Sequence, residues 1–421
     1  MTEKLLQYIW NFRLFSRFDF TDTDGNALEI LDFGKWNQDS GPDFLFGKIK
    51  TKGTILAGNI ELHLRSSDWI FHHHSENPEF ENVILHVVFL HDCEVEELSN
   101  RNIPTLELKN LINSDLLWKY ELMLQENLFI PCEKIFNSEK MPVNFCESTL
   151  LRKLDEKSEE IEVRLSRFKN DYEAVLFHQL AYAFGLKVNA EIFRQIAENI
   201  DFSVVRKISN NPVQLHALLY GKSGFLNVNL DDQMKIWKQE YDFIKNKFQI
   251  PDVAFSPKFL RLRPPNFPTI RLSQLANLIH QQQGLFSKII HAENISELYD
   301  IFRNIKADSY WNCRFNFGKI SETETEKMLT KDFIDLVIIN AVLPLKYTYH
   351  KRLNENTADE IMNFYREILP EKNTIVRQWE QLNVKINSAL ESQAFLYHYR
   401  NNCISKKCLN CGIGLELLRV Q

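Results

Sequence analysis

Asp43, Glu61, His63, Asp68, His72, His74 and His86 fall within 44 residues of one another. Carboxylates and neutral imidazoles are ligands for divalent cations, and imidazole also exchanges a proton near pH 7. Glu61 and His63 are two apart, so on a strand they share a face. If residues 44–50 and 54–64 pair as a hairpin about Lys52-Gly53, Asp43 stands at the open end of the first strand. Glu61 and His63 then lie toward the open end of the second. Two carboxylates and an imidazole converging in this way suffice to hold a divalent cation, with waters completing its shell. Asp43, Glu61 and His63 are therefore the candidate catalytic residues. The two acids would bind Mg²⁺ or Mn²⁺, and His63 would position or deprotonate water. His72, His74 and His86 are further candidate ligands.

The surrounding residues leave the geometry open. Ser67 or Asp68 could cap a short turn before Trp69. His72 and His74 share a face in an extended backbone, and Asp68 and His72 share one in a helix. His86 lies in an apolar run, where an imidazole must find a hydrogen-bond partner. Each residue has a plainer reading. Asp43 follows Gly-Pro as a turn residue would, Glu61 and His63 could be a solvated hairpin face, and consecutive histidines often form a polar loop. It is their density that favours a cluster.

A second group is Cys403-x4-Cys408-x2-Cys411. Its CxxC half suits tetrahedral ligation of Zn²⁺ or an iron–sulfur cluster, with Lys406 and Lys407 offsetting thiolate charge. A fourth ligand stays open among Cys132, Cys146, Cys313, His398 and a more distant residue. The arrangement resembles the C-terminal cysteine loops that bind iron–sulfur clusters in DNA-repair glycosylases, with three cysteines where those have four. Such a closed site would be structural. Lys258, Arg261, Arg263 and Arg271 around Pro264-Pro265-Asn266, and Arg400, Lys406 and Lys407 in the tail, are candidate phosphate contacts.

The elements that must position these residues follow from periodicity. Residues 4–16 read as a helix, and Ala27–Phe33, Phe44–Lys50, Thr54–Leu64, Asn82–Leu90 and Ile103–Leu108 as strands. The nearly continuous 82–90 run suits a central strand, and the proline-led 103–108 run an edge. Beyond residue 112 the texture is helical, at 114–127, 148–168, 171–185, 190–199, 232–247, 271–283 and 357–395. The expected fold is an α/β (α+β) N-terminal domain with a mixed sheet, residues 1–112. Helical regions at 113–250 and 251–421 follow, separated by the proline-rich segment 251–268.

Composition sets the class. The 421 residues are 44% hydrophobic and include 31 Phe, enough for substantial cores. No apolar run approaches the roughly 20 residues of a membrane helix. The first fifteen residues lack the features of a signal peptide. Seven cysteines, three of them within nine residues, do not suit a secreted disulfide framework, so a cytoplasmic protein is expected. The net charge of −6 is uneven. Residues 1–112 hold 10 Lys and Arg against 18 Asp and Glu, with six of the twelve His.

The strings GPDF, GNIELH, SSDW, His72-x-His74 and VILHVV resemble an uncharacterised family common in Bacteroidota, a domain of unknown function spanning nearly the whole chain. That resemblance implies no activity. More distantly, Pro42-Asp43 followed by Glu61-x-His63 resembles the PD-(D/E)XK nuclease signature. This resemblance implies a restriction-endonuclease-like fold, Mg²⁺ on the two acids, and a DNA or RNA substrate. His63 stands where that superfamily has lysine, a departure that leaves room for a different site. Two alternatives stand beside a metal-dependent phosphodiesterase. One is a non-catalytic scaffold with a structural or ligand-binding metal site, and the other is a Zn²⁺- or Fe²⁺-dependent small-molecule hydrolase.

Overall fold

Thr2 starts the first helix, its Oγ1 accepting from the Leu5 N–H at 3.2 Å. In α1 (Glu3–Phe12) Leu5, Leu6, Ile9 and Trp10 fall on one buried face, and Trp10 Nε1 donates to the Phe33 carbonyl at 2.9 Å. Arg13, in the left-handed conformation, ends it short of the expected residue 16. The computed structural model describes residues 1–37, 39–74, 77–227, 231–253 and 255–419.

Seven strands follow α1 in one mixed sheet: β1 (Phe20–Thr21), β2 (Ala27–Asp32), β3 (Lys35–Trp36), β4 (Phe44–Thr51), β5 (Thr54–Arg65), β6 (Val83–Leu90) and β7 (Thr105–Glu107). Their order is β1-β2-β4-β5-β6-β7, with β3 pairing on β4. Lys52 and Gly53 both take positive φ, so a tight turn joins Thr51 to its partner Thr54 and sets the antiparallel β4–β5 register. After the short helix α2 (Asp68–Phe71) the chain crosses to β6, which runs parallel to β5. Helix α3 (Glu96–Asn100) then precedes β7, parallel to β6 at the sheet's edge. Lying between two neighbours, β6 buries Val83, Leu85, His86, Val87 and Val88.

Strand β4 departs from the expected alternation. Phe44 shares the buried face with Gly47, Ile49 and Thr51, whereas Phe46 and Lys48 are exposed. The pairing shifts between Phe44 and Gly47, and Phe46 sits at φ +62°. This bulge adds one residue, which reverses the side-chain phase across it. Without it, Asp43 would face away from Lys48 and from the corresponding side of β5.

The chain divides into two compact units. One is Met1–Phe145 with Gln378–Val384 and His398–Gln421, and the other is Cys146–Arg377 with Lys385–Tyr397. The first holds the sheet and α4 (Ser114–Met123), so it runs past the change of texture near residue 112 and takes in the cysteine tail. The second is mostly helical, from α5 (Phe145–Arg167), α6 (Tyr172–Phe184) and α7 (Leu186–Glu198) onward. One buried cluster extends through it from Leu150 to Leu390. The 251–268 connection therefore does not divide the helical region into separate bodies. Trp237 and Ile244 before it share a core with Ile270 and Leu275 after it. The expected 357–395 helix is three: Ala358–Glu367, Thr374–Gln381 and Ala389–His398. Ile368 turns extended ahead of Leu369-Pro370, where proline cannot continue a helix. Among the described residues, no helix is long and apolar enough to cross a membrane.

Candidate metal centre

The sheet register gathers the acids. Phe44 pairs with Ile60 and Glu61 pairs with His86, so Asp43, Glu61, His63 and His86 project from one face. Asn37 shapes the loop before β4, its Nδ2 donating to the Ser40 and Pro42 carbonyls at 2.9 and 3.0 Å. The Asp43 N–H donates to Glu61 Oε2 at 3.0 Å, and Asp43 Oδ2 accepts from the Leu62 N–H at 3.1 Å. Gln7 of α1 donates to Asp43 Oδ1 at 2.7 Å.

The histidines close on Glu61 from the other side. His63 Nε2 lies 3.1 Å from His74 Nε2, and Glu61 Oε1 is 3.6 and 3.4 Å from those two nitrogens. Donor atoms of His63, His72 and His74 all lie within 4.8 Å of one another. Neither an extended nor a helical backbone brings His72 and His74 together here. Helix α2 ends at His72, and His73 takes φ +55°, a left-handed kink that returns His74 to the same point. His63 is fully buried and His72 is exposed, so the cluster is closed behind and open in front.

The neighbours fix these rings. Phe80 stacks on His74 at 3.8 Å, and Trp69 presents its ring to His74 and His86 at 5.2 and 5.3 Å. Trp69 Nε1 is held by Glu97 Oε2 at 3.0 Å. Asp68 stays out of the cluster; its Oδ2 accepts from the Arg65 N–H at 2.9 Å and ties the end of β5. His86 stands behind His63, with Nε2 2.9 Å from His63 Nδ1. For His63 Nε2 to offer a lone pair, His63 Nδ1 must carry the proton and donate to His86. The His86 Nδ1–H is then left buried and without a hydrogen-bond partner among the described residues, a cost of about 1–3 kcal/mol.

Burial, and then the adjacent imidazoles, lower His63 to about 2 and His86 to about 3, and burial lowers His74 as well. These rings are neutral at pH 7, the form that ligates. Burial pushes Asp43 and Glu61 above the ordinary carboxylate range, reinforced at Asp43 by the charge of Glu61 and at Glu61 by that of Glu3, so without a cation the pair retains a proton. The donor set fits a metal ion. A tetrahedral ion with bonds of about 2.0–2.1 Å needs neighbouring donors about 3.3 Å apart, and the spacings here are 3.1, 3.4 and 3.6 Å.

Glu3 and Gln7 were not among the sequence candidates. They are one helical turn apart on α1, which was their only signal. Glu3 stands within electrostatic reach of His72, Asp68 and His74. A family model for "Protein of unknown function (DUF2851)" matches residues 3–374, from Glu3 through the whole sheet and most of the second unit. The chain belongs to the DUF2851 family. No curated protein and no solved structure matches it.

The DUF2851 match includes Cys132 and ends before Cys403. In the structure, Cys403, Cys408 and Cys411 line one cavity with Cys132 and His398, whereas Cys146 and Cys313 belong to the second unit. Asp43, Glu3 and Gln7 line a cleft of about 710 Å³ whose walls also carry Lys4, Lys406 and Lys407. The candidate phosphate contacts at 258–271 fare differently. Arg271 is buried over Phe333 at 3.6 Å and bonded to Gln274, a packing role, while Arg261 and Arg263 are exposed.

Proposed function

We propose that the first unit is a divalent-metal-dependent phosphodiesterase acting on nucleic acid. The observation that carries it is the convergence of Asp43, Glu61 and His63, with Asp43 lining a cleft whose walls also carry three lysines. The path α1, antiparallel β2–β4–β5, then a crossover through α2 to parallel β6 is also similar to the PD-(D/E)XK plan, with Asp43 ahead of β4 and Glu61-x-His63 on β5. That likeness supports the restriction-endonuclease-like reading of the fold.

His63, His72, His74 and Glu61 would hold the ion. Three nitrogens suit Mn²⁺, Fe²⁺ or Zn²⁺ better than Mg²⁺, which prefers oxygen and an octahedral shell. When bound, the ion supplies Lewis acidity toward the phosphate and lowers the cost of developing negative charge. His86 keeps His63 in the ligating tautomer. Asp43, oriented by Gln7 and the Leu62 N–H, takes the proton of the attacking water. Lys4, Lys406 and Lys407 neutralise the flanking phosphates.

The test is cleavage of labelled single- and double-stranded DNA and RNA by chelated protein resupplied with Mn²⁺, Mg²⁺ or Zn²⁺. Mn²⁺-dependent cutting is expected, reduced about 10²-fold or more by Asp43→Asn and Glu61→Gln. Wild-type rates in both variants would defeat the proposal. The nitrogen-rich donor set specifically favours a second reading, a Zn²⁺ or Fe²⁺ hydrolase of small molecules. Tightly retained zinc or iron at His63, His72 and His74, with no cleavage of any nucleic acid, would select it.

A further inference from the structure

We infer that the first unit carries a second metal centre, a single tetrahedral zinc held by Cys132, Cys403, Cys408 and Cys411, with Cys132 supplying the ligand that the tail lacks. These four residues line one cavity with Trp379 and His398, and all six belong to the first unit. Among the described residues, no disulfide engages any of the four. They are close enough for charge on one to act on another. Burial raises the Cys132 thiol first, and Cys408 and Cys411 raise it further; Cys403 is raised in the same way by burial and then by Cys132, Cys411 and Cys408. Cys146 and Cys313, the other thiols open as partners from sequence, lie in the second unit, outside this cavity.

The backbone of the tail is shaped around these sulfurs. Cys408 opens the 3₁₀ turn Cys408–Asn410, and the Cys411 N–H closes it by donating to the Cys408 carbonyl at 3.3 Å. In such a turn side chains three apart come to one side, which is what a CxxC pair needs to share an ion. Gly414 has to be glycine for the chain to fold back over the turn, because a Cβ there would lie 2.2 Å from the Cys408 carbonyl oxygen. The Gly414 N–H then donates to Cys411 Sγ at 3.5 Å, and His398 Nε2 lies 3.4 Å from the same sulfur. A neutral thiol is a weak acceptor, whereas a metal-bound thiolate draws N–H donors. Zinc on four thiolates carries a net double negative charge, and these donors, with Lys407 on the cavity wall, offset it.

The size of the cavity selects a single ion. It encloses about 10 Å³, the space of roughly one water-sized probe. One Zn²⁺ with bonds of about 2.3 Å fits among sulfurs lining such a space, and a polynuclear cluster does not. With all four positions taken by protein there is no place for a substrate, so the centre is structural. Its bonds tie Cys132 to residues 403–411, across more than 270 residues of chain. Lys407 lines both this cavity and the cleft at Asp43, so the zinc also holds that lysine beside the cleft.

The experiment is absorption spectroscopy of the full chain, as purified anaerobically and then after chelation and titration with Co²⁺, a coloured stand-in for zinc. Only thiolate ligands give sulfur-to-cobalt charge transfer in the near ultraviolet, so cobalt on His63, His72 and His74 adds nothing to that band. The chain as purified should be colourless. Co²⁺ should raise the charge-transfer band together with the visible bands of a tetrahedral ion, and zinc should displace it. Cys132→Ser should lower the charge-transfer intensity by about a quarter, one thiolate of four, while Cys313→Ser should leave it unchanged. A wild-type chain that gives no such band, or a band that zinc does not displace, would overturn the inference however the variants fold. So would visible iron–thiolate absorption with acid-labile sulfide in the chain as purified. A Cys132→Ser chain with the full band would overturn it too, passing the fourth position to His398. None of these results depends on whether Asp43 and Glu61 catalyse anything.

Discussion

Replacing Asp43 with Asn separates the cost of building the N-terminal site from its use. In metal-free protein, burial and then the charge of Glu61 hold the Asp43 carboxyl well above its ordinary 3.8. A raised value in the folded state means its stabilising contribution is complete below about pH 4 and is lost as pH climbs toward 8. At pH 7 the unfolded chain has released this proton and the folded pair retains it, a cost to folding on the order of 3 kcal/mol. Asn keeps the shape without the charge. Its oxygen can accept from the Leu62 N–H, and Gln7 can turn its amide over to accept from the new NH₂ group. Chelated Asp43→Asn should therefore melt above chelated wild type at pH 7, by roughly 6 °C for a unit of this size, and the two should converge near pH 4. Added Mn²⁺ should raise the melting temperature of both proteins, because the ligands His63, His72, His74 and Glu61 are intact in each and binding to the folded state stabilises it. The assay is thermal unfolding by circular dichroism across pH 4 to 8, with chelator and then with Mn²⁺. A variant that melts below chelated wild type at pH 7, or that follows its pH dependence, refutes the reasoning.

Three further outcomes follow from the same structure. His86→Phe fills the space behind His63 but cannot accept from its Nδ1–H, so Mn²⁺ affinity by calorimetric titration should fall about 10–100-fold; unchanged affinity would remove the tautomer argument. Gly58→Ala places a Cβ 2.4 Å from the Asn82 carbonyl oxygen and 2.6 Å from Ile84 Cγ2, forcing β5 away from β6. Urea unfolding should show a loss of about 1–3 kcal/mol, and a negligible loss would mean the strands can separate freely. In the second unit, burial and then Arg164 and Arg167 lower His178 to about 4. A lowered value means stability is complete above about pH 6.5 and is lost as pH falls through 4, on the order of 3 kcal/mol. His178→Gln should flatten that region of the acid-denaturation curve, and an unaltered slope would assign it to other groups.

Much of the fold could be read from local pattern. The alternation in 54–64, the apolar run 82–90 and the Lys52-Gly53 turn each depend on a few neighbouring residues, and β5, β6 and the β4–β5 hairpin lie where those patterns place them. The long helical periodicities past residue 145 were legible for the same reason. What could not be read was the break in the 357–395 pattern, where Pro370 and the extended Ile368 interrupt a period that continues on both sides.

The sequence alone determined which residues were available for chemistry, and that Glu61 and His63 share a face, because a strand's period of two is a property of its own backbone. Tertiary structure decided the rest. The Phe46 bulge sets the phase that turns Asp43 toward Glu61, and its pairing shift exists only against β5. The left-handed His73 returns His72 and His74 to His63, a backbone choice that no periodicity records. Gln7 reaches Asp43 across 36 residues, and Cys132 joins a tail more than 270 residues away. Such meetings depend on how elements pack. Packing is selected by total burial and hydrogen bonding over the unit, so it is not encoded in the spacing of any one segment.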